Sequence, residues 1–103
     1  MEIKKTESDN GATLSITGSM TIYDASELRQ HLLACLEEHP GMILDLSGVE
    51  DCDTAAIQVL CAARKSAELT GKPVSFQQPA GPVIEAAHRA GLVPEHPIFS
   101  KGA

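Results

Sequence analysis

A short apolar run, followed by a polar loop and then a helical pattern, constrains the fold of this chain more than any other feature. The run, Met42 to Leu46, predicts a buried central strand. The loop ends at Asp53 and Thr54, an acid and a hydroxyl at the start of the predicted helix. Backbone N–H groups are free at such a helix end and attract anions. The pair can therefore hold a phosphate, carry one covalently, or cap the helix.

Hydrophobic periodicity extends this unit to the element order β-β-α-β-α-β-α. Residues 2–8 and 13–17 predict an antiparallel hairpin with a tight turn at Asn10-Gly11, and Gly18 is expected to end its second strand. The later elements are a helix over 24–38, the strand over 42–46, a helix from Thr54 to about Thr70, a strand over 72–76, and a helix between Pro82 and Gly91. The pattern assigns nothing firm to 94–103, where a short element at Pro97 to Ser100 would fit.

This order predicts an α/β fold, with a single domain over residues 1–103. A hairpin followed by alternating strands and helices gives a mixed sheet, because strands joined through right-handed helical crossovers run parallel. We expect helices to pack against at least one face of that sheet. Function in such sheets usually lies where a loop leaves the carboxyl end of a central strand.

The charge balance excludes several classes of partner. Eight basic and fourteen acidic residues among 103 give a formal net charge of −6, without any basic run. Nucleic acid and anionic membrane surfaces are disfavoured, because binding them requires clustered Lys and Arg. No apolar stretch approaches the roughly 20 residues of a membrane helix, and no signal core follows the N-terminus. We therefore expect a cytoplasmic location without direct membrane insertion.

The three cysteines predict reduced thiols, because their number is odd and two of them fall at apolar helix positions. Those two, Cys35 and Cys61, are expected to be buried and unreactive. Cys52 lies in the predicted loop beside Asp53, so we expect it to be reachable and to react faster.

Neither a metal centre nor an active site is predicted. Glu50, Asp51 and Asp53 form an acidic cluster that a divalent metal would accept in principle, but a solvated acidic loop explains it as well. His31 and Cys35 share a helix face without an evident third ligand. The sequence has no nucleophile elbow, dinucleotide fingerprint, Walker A sequence or His-Glu-x-x-His motif. We therefore expect no catalysis and no cofactor.

The order of elements and several short motifs resemble the STAS domain, a family shared by sulfate transporters and anti-sigma factor antagonists. The motifs are Gly18 to Tyr23, Leu44 to Val49, Asp53 to Ala56, Gly71 to Val74, and Ala90 to Leu92. The resemblance covers almost the whole chain. It implies a mixed sheet with helices packed against it, and a role in protein–protein interaction.

The resemblance also bears on phosphorylation. In the phospho-regulated antagonists of this family, the loop reads Asp, then Ser or Thr, then a phosphorylatable Ser, then Gly. The matching residues here are Asp53, Thr54, Ala55 and Ala56. The usual acceptor position is thus an alanine, and Thr54 is the only candidate phospho-acceptor within the motif. Thr54 also stands where a helix N-cap belongs, and plain capping, which does not exclude contact with a partner, is favoured over phosphorylation.

Two kinds of partner follow from the resemblance. The first is an anti-sigma factor, a histidine-kinase-like serine kinase. The second is a larger assembly, a chemosensory array or an ABC transporter, in which the chain would be a STAS subunit without a phosphoswitch. The Asp-Thr-Ala pattern is closer to the family's non-sporulation members, including those encoded beside chemotaxis genes. It also resembles the STAS subunit of the lipid-asymmetry ABC transporter. The expected partner-binding residues are Asp53, Thr54, Ala55, Ala56 and Gln58, with Thr21, Ile22 and Tyr23 from the preceding loop.

Overall fold

The computed structural model describes residues 1–9 and 11–99, which form a four-stranded sheet packed against three helices. The strands are β1 (Glu2–Ser8), β2 (Gly11–Met20), β3 (Met42–Cys52) and β4 (Val74–Gln77). The helices are α1 (Ala25–Glu38), α2 (Thr54–Leu69) and α3 (Gly81–Arg89), with short 3₁₀ turns at Ile22–Asp24 and Pro97–Phe99. The predicted element order is confirmed. The 3₁₀ turn fits the short element expected near Pro97, but Ser100 lies outside the described residues.

The sheet is mixed, as predicted, with the strand order β1-β2-β3-β4. β1 pairs antiparallel with β2, whereas β3 pairs parallel with both β2 and β4. Alternate residues along the strands, such as Leu14, Leu44 and Phe76, are buried in the core. Their neighbours Thr13 and Asp45 point to the opposite face and are more exposed. The helices therefore cover one face of the sheet and leave a more polar face open.

Two strands are longer than the sequence indicates. Gly18 does not end β2. It adopts a φ of 84°, which glycine tolerates, and the strand continues past it through shifts of register against β3. β3 likewise continues past Leu46 to Cys52 instead of entering a loop. Exposed polar residues such as Glu50-Asp51 hide this extension in the sequence, because they resemble loop composition. The expected loop before α2 is reduced to Asp53.

The helices begin and end close to the predicted positions. Gly71 follows α2 at a φ of 72°, a conformation that other residues rarely adopt. Pro82 stands in the first turn of α3, where its missing N–H costs no hydrogen bond. The tight turn predicted at Asn10 falls partly outside the described residues. None of the helices in the described part of the chain is both long and apolar enough to span a membrane.

The predicted order of cysteine exposure is wrong. Cys35 is buried as expected, but Cys52 is buried too, because it is the last residue of β3 and points into the core. Cys61, expected to be buried, is only half-buried on α2. All three are free thiols. Their expected reactivity is accordingly reversed, with Cys61 ahead of Cys52.

Candidate protein-binding surface at the start of α2

Asp53, not Thr54, caps α2. Its backbone is extended, and its Oδ1 accepts a hydrogen bond of 3.0 Å from the backbone N–H of Ala56. This is the geometry of an N-cap carboxylate, which also has a favourable interaction with the helix dipole. The interpretation of Thr54 as the N-cap is therefore wrong by one residue. As a result, the hydroxyl of Thr54 is not used for capping.

The second oxygen of Asp53 fastens the loop before α1 to the same helix end. Oδ2 accepts a hydrogen bond of 2.7 Å from the backbone N–H of Ile22. The backbone N–H of Asp53 in turn donates to the carbonyl of Met20 at 3.3 Å. One side chain thus joins two segments that are distant in the sequence. The predicted binding residues of both segments lie side by side for this reason.

The loop before α1 is itself held in shape. The hydroxyl and backbone N–H of Thr21 both donate to Asp24 Oδ2, at 3.2 and 3.1 Å. The N–H of Asp24 donates back to the Thr21 carbonyl at 2.9 Å. Between them, Ile22 is 62% exposed and Tyr23 is 95% exposed. Two large apolar side chains are therefore displayed on an ordered turn, which is a common property of interaction sites.

The remaining predicted residues lie along the first turns of α2. Thr54 and Ala55 are half-buried, and Gln58 is exposed one turn further on. Ala56 is fully buried, and it serves the site through the backbone N–H that Asp53 caps. A partner approaching this end of α2 would thus meet Thr54, Ala55 and Gln58.

Cys52 is buried in the core beneath this surface and contacts its backbone. Its thiol contacts the backbone carbonyl of Asp53 at 3.6 Å, and its own carbonyl accepts a hydrogen bond of 3.4 Å from Arg89 at the end of α3. Burial, aided by the nearby charges of Asp53 and Asp51, raises the pKa of the Cys52 thiol to about 12. The thiol is therefore protonated at neutral pH. A role as a nucleophile or redox centre is disfavoured, because those reactions need the thiolate.

The chemistry of this surface favours recognition. Two carboxylates, those of Asp24 and Asp53, lie beside the exposed Ile22 and Tyr23. Within residues 1–9 and 11–99, no group of three or more His, Cys, Asp or Glu side chains has an arrangement suited to a metal ion. An apolar pair on an acidic, backbone-rigid platform fits a protein surface that offers basic and apolar side chains.

Sequence reasoning named two segments that the structure brings side by side, but it missed the contacts that join them. The hydrogen bond from Ile22 to Asp53 is long-range, and no local pattern encodes it. The support from Arg89 to Cys52 was missed for the same reason. One signal was available: an aspartate directly before a helical pattern is as good an N-cap as a threonine.

The profile of a family described as "Mlab, STAS domain" matches residues 3–93. The chain therefore belongs to the STAS domain family, and the resemblance drawn from its motifs is confirmed. No curated protein matches the chain by sequence.

Solved structures share this fold at low sequence identity. The anti-sigma factor antagonist SpoIIAA in its unphosphorylated form matches with a TM-score of 0.74 at 10% identity, covering 90% of this chain and 84% of that one. An anti-sigma factor antagonist from Mycobacterium paratuberculosis gives 0.70 at 22%, covering 87% and 77%. The murine anion transporter Slc26a9 gives 0.71 at 17%, covering 91% of this chain and 16% of the transporter. At these identities, the likeness shows the fold alone.

Proposed function

We propose that this STAS domain acts as an anti-sigma factor antagonist-like regulator, which binds a partner protein at the start of α2 and performs no catalysis itself. The observation that carries the proposal is the double hydrogen bonding of Asp53, to Ala56 and to Ile22. It holds the two predicted binding segments as one surface before any partner arrives. A preorganised surface loses less conformational entropy on binding.

The partner in this proposal is an anti-sigma factor of the histidine-kinase-like serine kinase type. The family of the chain and the antagonist structures that share its fold support this choice. The acidic character of the surface is consistent with a partner that presents basic side chains. Binding would sequester the kinase and release its sigma factor.

Thr54 is the phospho-acceptor in this proposal, because it carries the hydroxyl within the motif of residues 53–56. Ala55 has no hydroxyl to accept phosphate, whereas Thr54 has one and is a half-buried residue that does not cap the helix. A phosphate there would add about −1.5 to −2 charge to an already acidic contact surface and oppose binding. Incubation with ATP and the kinase encoded nearby, followed by peptide mapping, tests this. Ala55→Ser provides the positive control, and an unmodified Thr54 would make the domain a constitutive binder.

A second candidate function is that of a STAS subunit in an ABC transporter or chemosensory assembly. The family description itself names Mlab, and the Asp53-Thr54-Ala55 pattern resembles the transporter-associated members. The same surface would then bind a permanent partner subunit without a phosphoswitch.

Calorimetric titration separates the two candidates. The protein is titrated against the anti-sigma kinase and against the transporter ATPase encoded in the same genome. Thr54→Glu should weaken binding to the true partner by at least about tenfold, because it adds like charge to the contact. Its melting temperature should stay within a few degrees, since a carboxylate in the first helical turn is favoured by the dipole. Thr6→Glu, an identical change on the distant strand β1, is the matched control. Unchanged affinity of Thr54→Glu for a partner that binds the wild type would refute this surface.

A further inference from the structure

A groove between α1 and α2 is not explained by the proposed surface. It consists of two adjoining cavities of about 270 and 230 Å³. Both cavities are lined by Leu33 of α1 and Ser66 of α2. Val59, Ala62 and Ala63 continue the α2 wall, so the groove is mainly apolar. An apolar surface of this length on a small domain is typical of a contact site.

Opposite charges stand at the two ends of this groove. Arg29 lines one end with Ala55, and Glu37 lines the other end with Thr70. Lys72 also lies at the Glu37 end, where its ammonium group donates to the carbonyl of Leu36 in the same molecule. α1 and α2 therefore run in the same direction along the groove. Leu33 lies one turn from Arg29 and one turn from Glu37, so the three residues form a straight stripe along α1, with the charges about 12 Å apart.

We propose that the groove is the contact surface between two copies of this chain, related by a two-fold axis that passes near Leu33. The two copies of α1 then lie antiparallel, and so do the two copies of α2. Arg29 of each copy meets Glu37 of the other, and Leu33 meets its own counterpart. The antiparallel arrangement also opposes the helix dipoles. The surface is complementary to itself, as a two-fold interface requires.

The exposed apolar side chains fit the same arrangement. Leu69 is 84% exposed at the carboxyl end of α2, while Ile22 and Tyr23 are exposed just before α1. The two groups lie at opposite ends of one molecule. An antiparallel pair brings Leu69 of one copy towards Tyr23 of the other. The same contact therefore shields apolar side chains at both ends of the groove.

The size of the face predicts a weak dimer. α2 has 16 residues and is about 24 Å long, so a face two helices wide buries on the order of 1,000 Å² in total. This is the lower end for specific interfaces, and the charge of −6 on each copy opposes association. We expect a weak dimer that forms only at high protein concentration, because interfaces of this size belong to weak and transient complexes. Ala55 and Gln58 belong to both surfaces, so dimerisation and partner binding would compete.

Sedimentation equilibrium of charge-reversal variants tests the proposal. Arg29→Glu and Glu37→Arg should each weaken the dimer at least about tenfold, because each places like charges together twice per dimer. The double variant restores both pairs and should return the dissociation constant to within about threefold of the wild type. Lys4→Glu and Glu85→Arg make the same charge changes on exposed positions outside the groove, and they should leave association unchanged.

Each alternative result has a definite meaning. A wild type that stays monomeric up to millimolar protein overturns the proposal. A dimer that is insensitive to both single reversals rules out this face, and single losses without rescue in the double variant rule out the antiparallel register. Circular dichroism confirms that the variants are folded. The monomeric variants are also titrated with the partner protein. If they still bind it, the proposed function stands whatever the outcome of the dimer test.

Discussion

Two side chains each fasten a loop to α2, and they use different chemistry. The Asp53 carboxylate caps the helix and holds the N–H of Ile22. The second side chain is His96, in the segment after α3. Its Nδ1 accepts a hydrogen bond of 3.1 Å from the N–H of Ile98, and its Nε2 lies 3.9 Å from the thiol of Cys61 on α2. The first contact is charged and organises the proposed binding surface. The second is uncharged and anchors the segment after α3.

The difference shows that the charge of a side chain determines how many backbone N–H groups it can bind and how strongly. A carboxylate accepts from two N–H groups at once, and hydrogen bonds to a charged group contribute more than neutral ones. His96 performs its role only as the neutral ring with the proton on Nε2, because Nδ1 must accept from Ile98. Burial, with a smaller effect from the Arg64 charge, lowers the pKa of His96 and favours that neutral form.

Removal of the Asp53 carboxylate should have the largest effect. Asp53→Ala deletes both hydrogen bonds, and we expect the free energy of unfolding to fall by about 2–3 kcal/mol. Partner binding should be lost as well, because Ile22 is no longer held against α2. Urea denaturation measures the first effect and calorimetry the second. Asp51→Ala, an exposed neighbour, should change stability by less than about 0.5 kcal/mol. Equal losses in both variants would mean that Asp53 has no special structural role.

The cysteines beside the two contacts should differ in reactivity. Cys52 lies beneath Asp53 in the core, whereas Cys61 is half-buried beside His96. We expect a thiol reagent to label Cys61 at least about tenfold faster than Cys52 in the native protein, because Cys52 is reached only after local opening. Mass spectrometry follows each site, and denaturant should equalise the rates. Fast labelling of Cys52 in the folded protein would mean that the end of β3 is open.

Asp53→Asn should separate the two hydrogen bonds of the carboxylate, with a smaller loss of stability than Asp53→Ala. The amide oxygen can still accept from Ala56, but the amide nitrogen would then face the N–H of Ile22 and repel it. We expect a loss of about 1 kcal/mol. Hydrogen exchange should accelerate at Ile22 and stay slow within α2. Protection that persists at Ile22 would show that the loop is held by other contacts.

The sequence was sufficient where local chemistry decides the structure. Strand periodicity and the glycine after α2 reveal the element order, and the polar residues before α2 place its N-cap to within one residue, at Thr54 instead of Asp53. Prediction from the sequence failed where contacts between distant residues determine the structure. The end of β3 is fixed by pairing of Cys52 with Met20, and the position of His96 is fixed by contacts with Ile98 and α2. Neither relation has a signature within a few residues of sequence, so the length of β3 and the burial of Cys52 were mispredicted.

The effect of acidification on the His96 contact should be the smallest of the predicted effects. The folded state lowers the pKa of His96, so it binds this proton less readily than the unfolded chain. The contribution of His96 to stability is therefore fully present above its pKa in the unfolded chain, about 6.5. It is lost as the pH falls through the lower pKa of the folded state. Protonation of Nδ1 would oppose the N–H of Ile98, and the Arg64 charge would add repulsion.

Thermal unfolding of wild type and His96→Gln at pH 7.5 and 5.5 isolates this contribution. The other three histidines are present in both proteins, so any contribution from them cancels in the comparison. We expect the wild type to lose more stability than the variant between the two pH values, with faster exchange of the Ile98 amide at the lower one. An identical pH response of the two proteins would show that the segment after α3 is held by the packing of buried Ile98 alone.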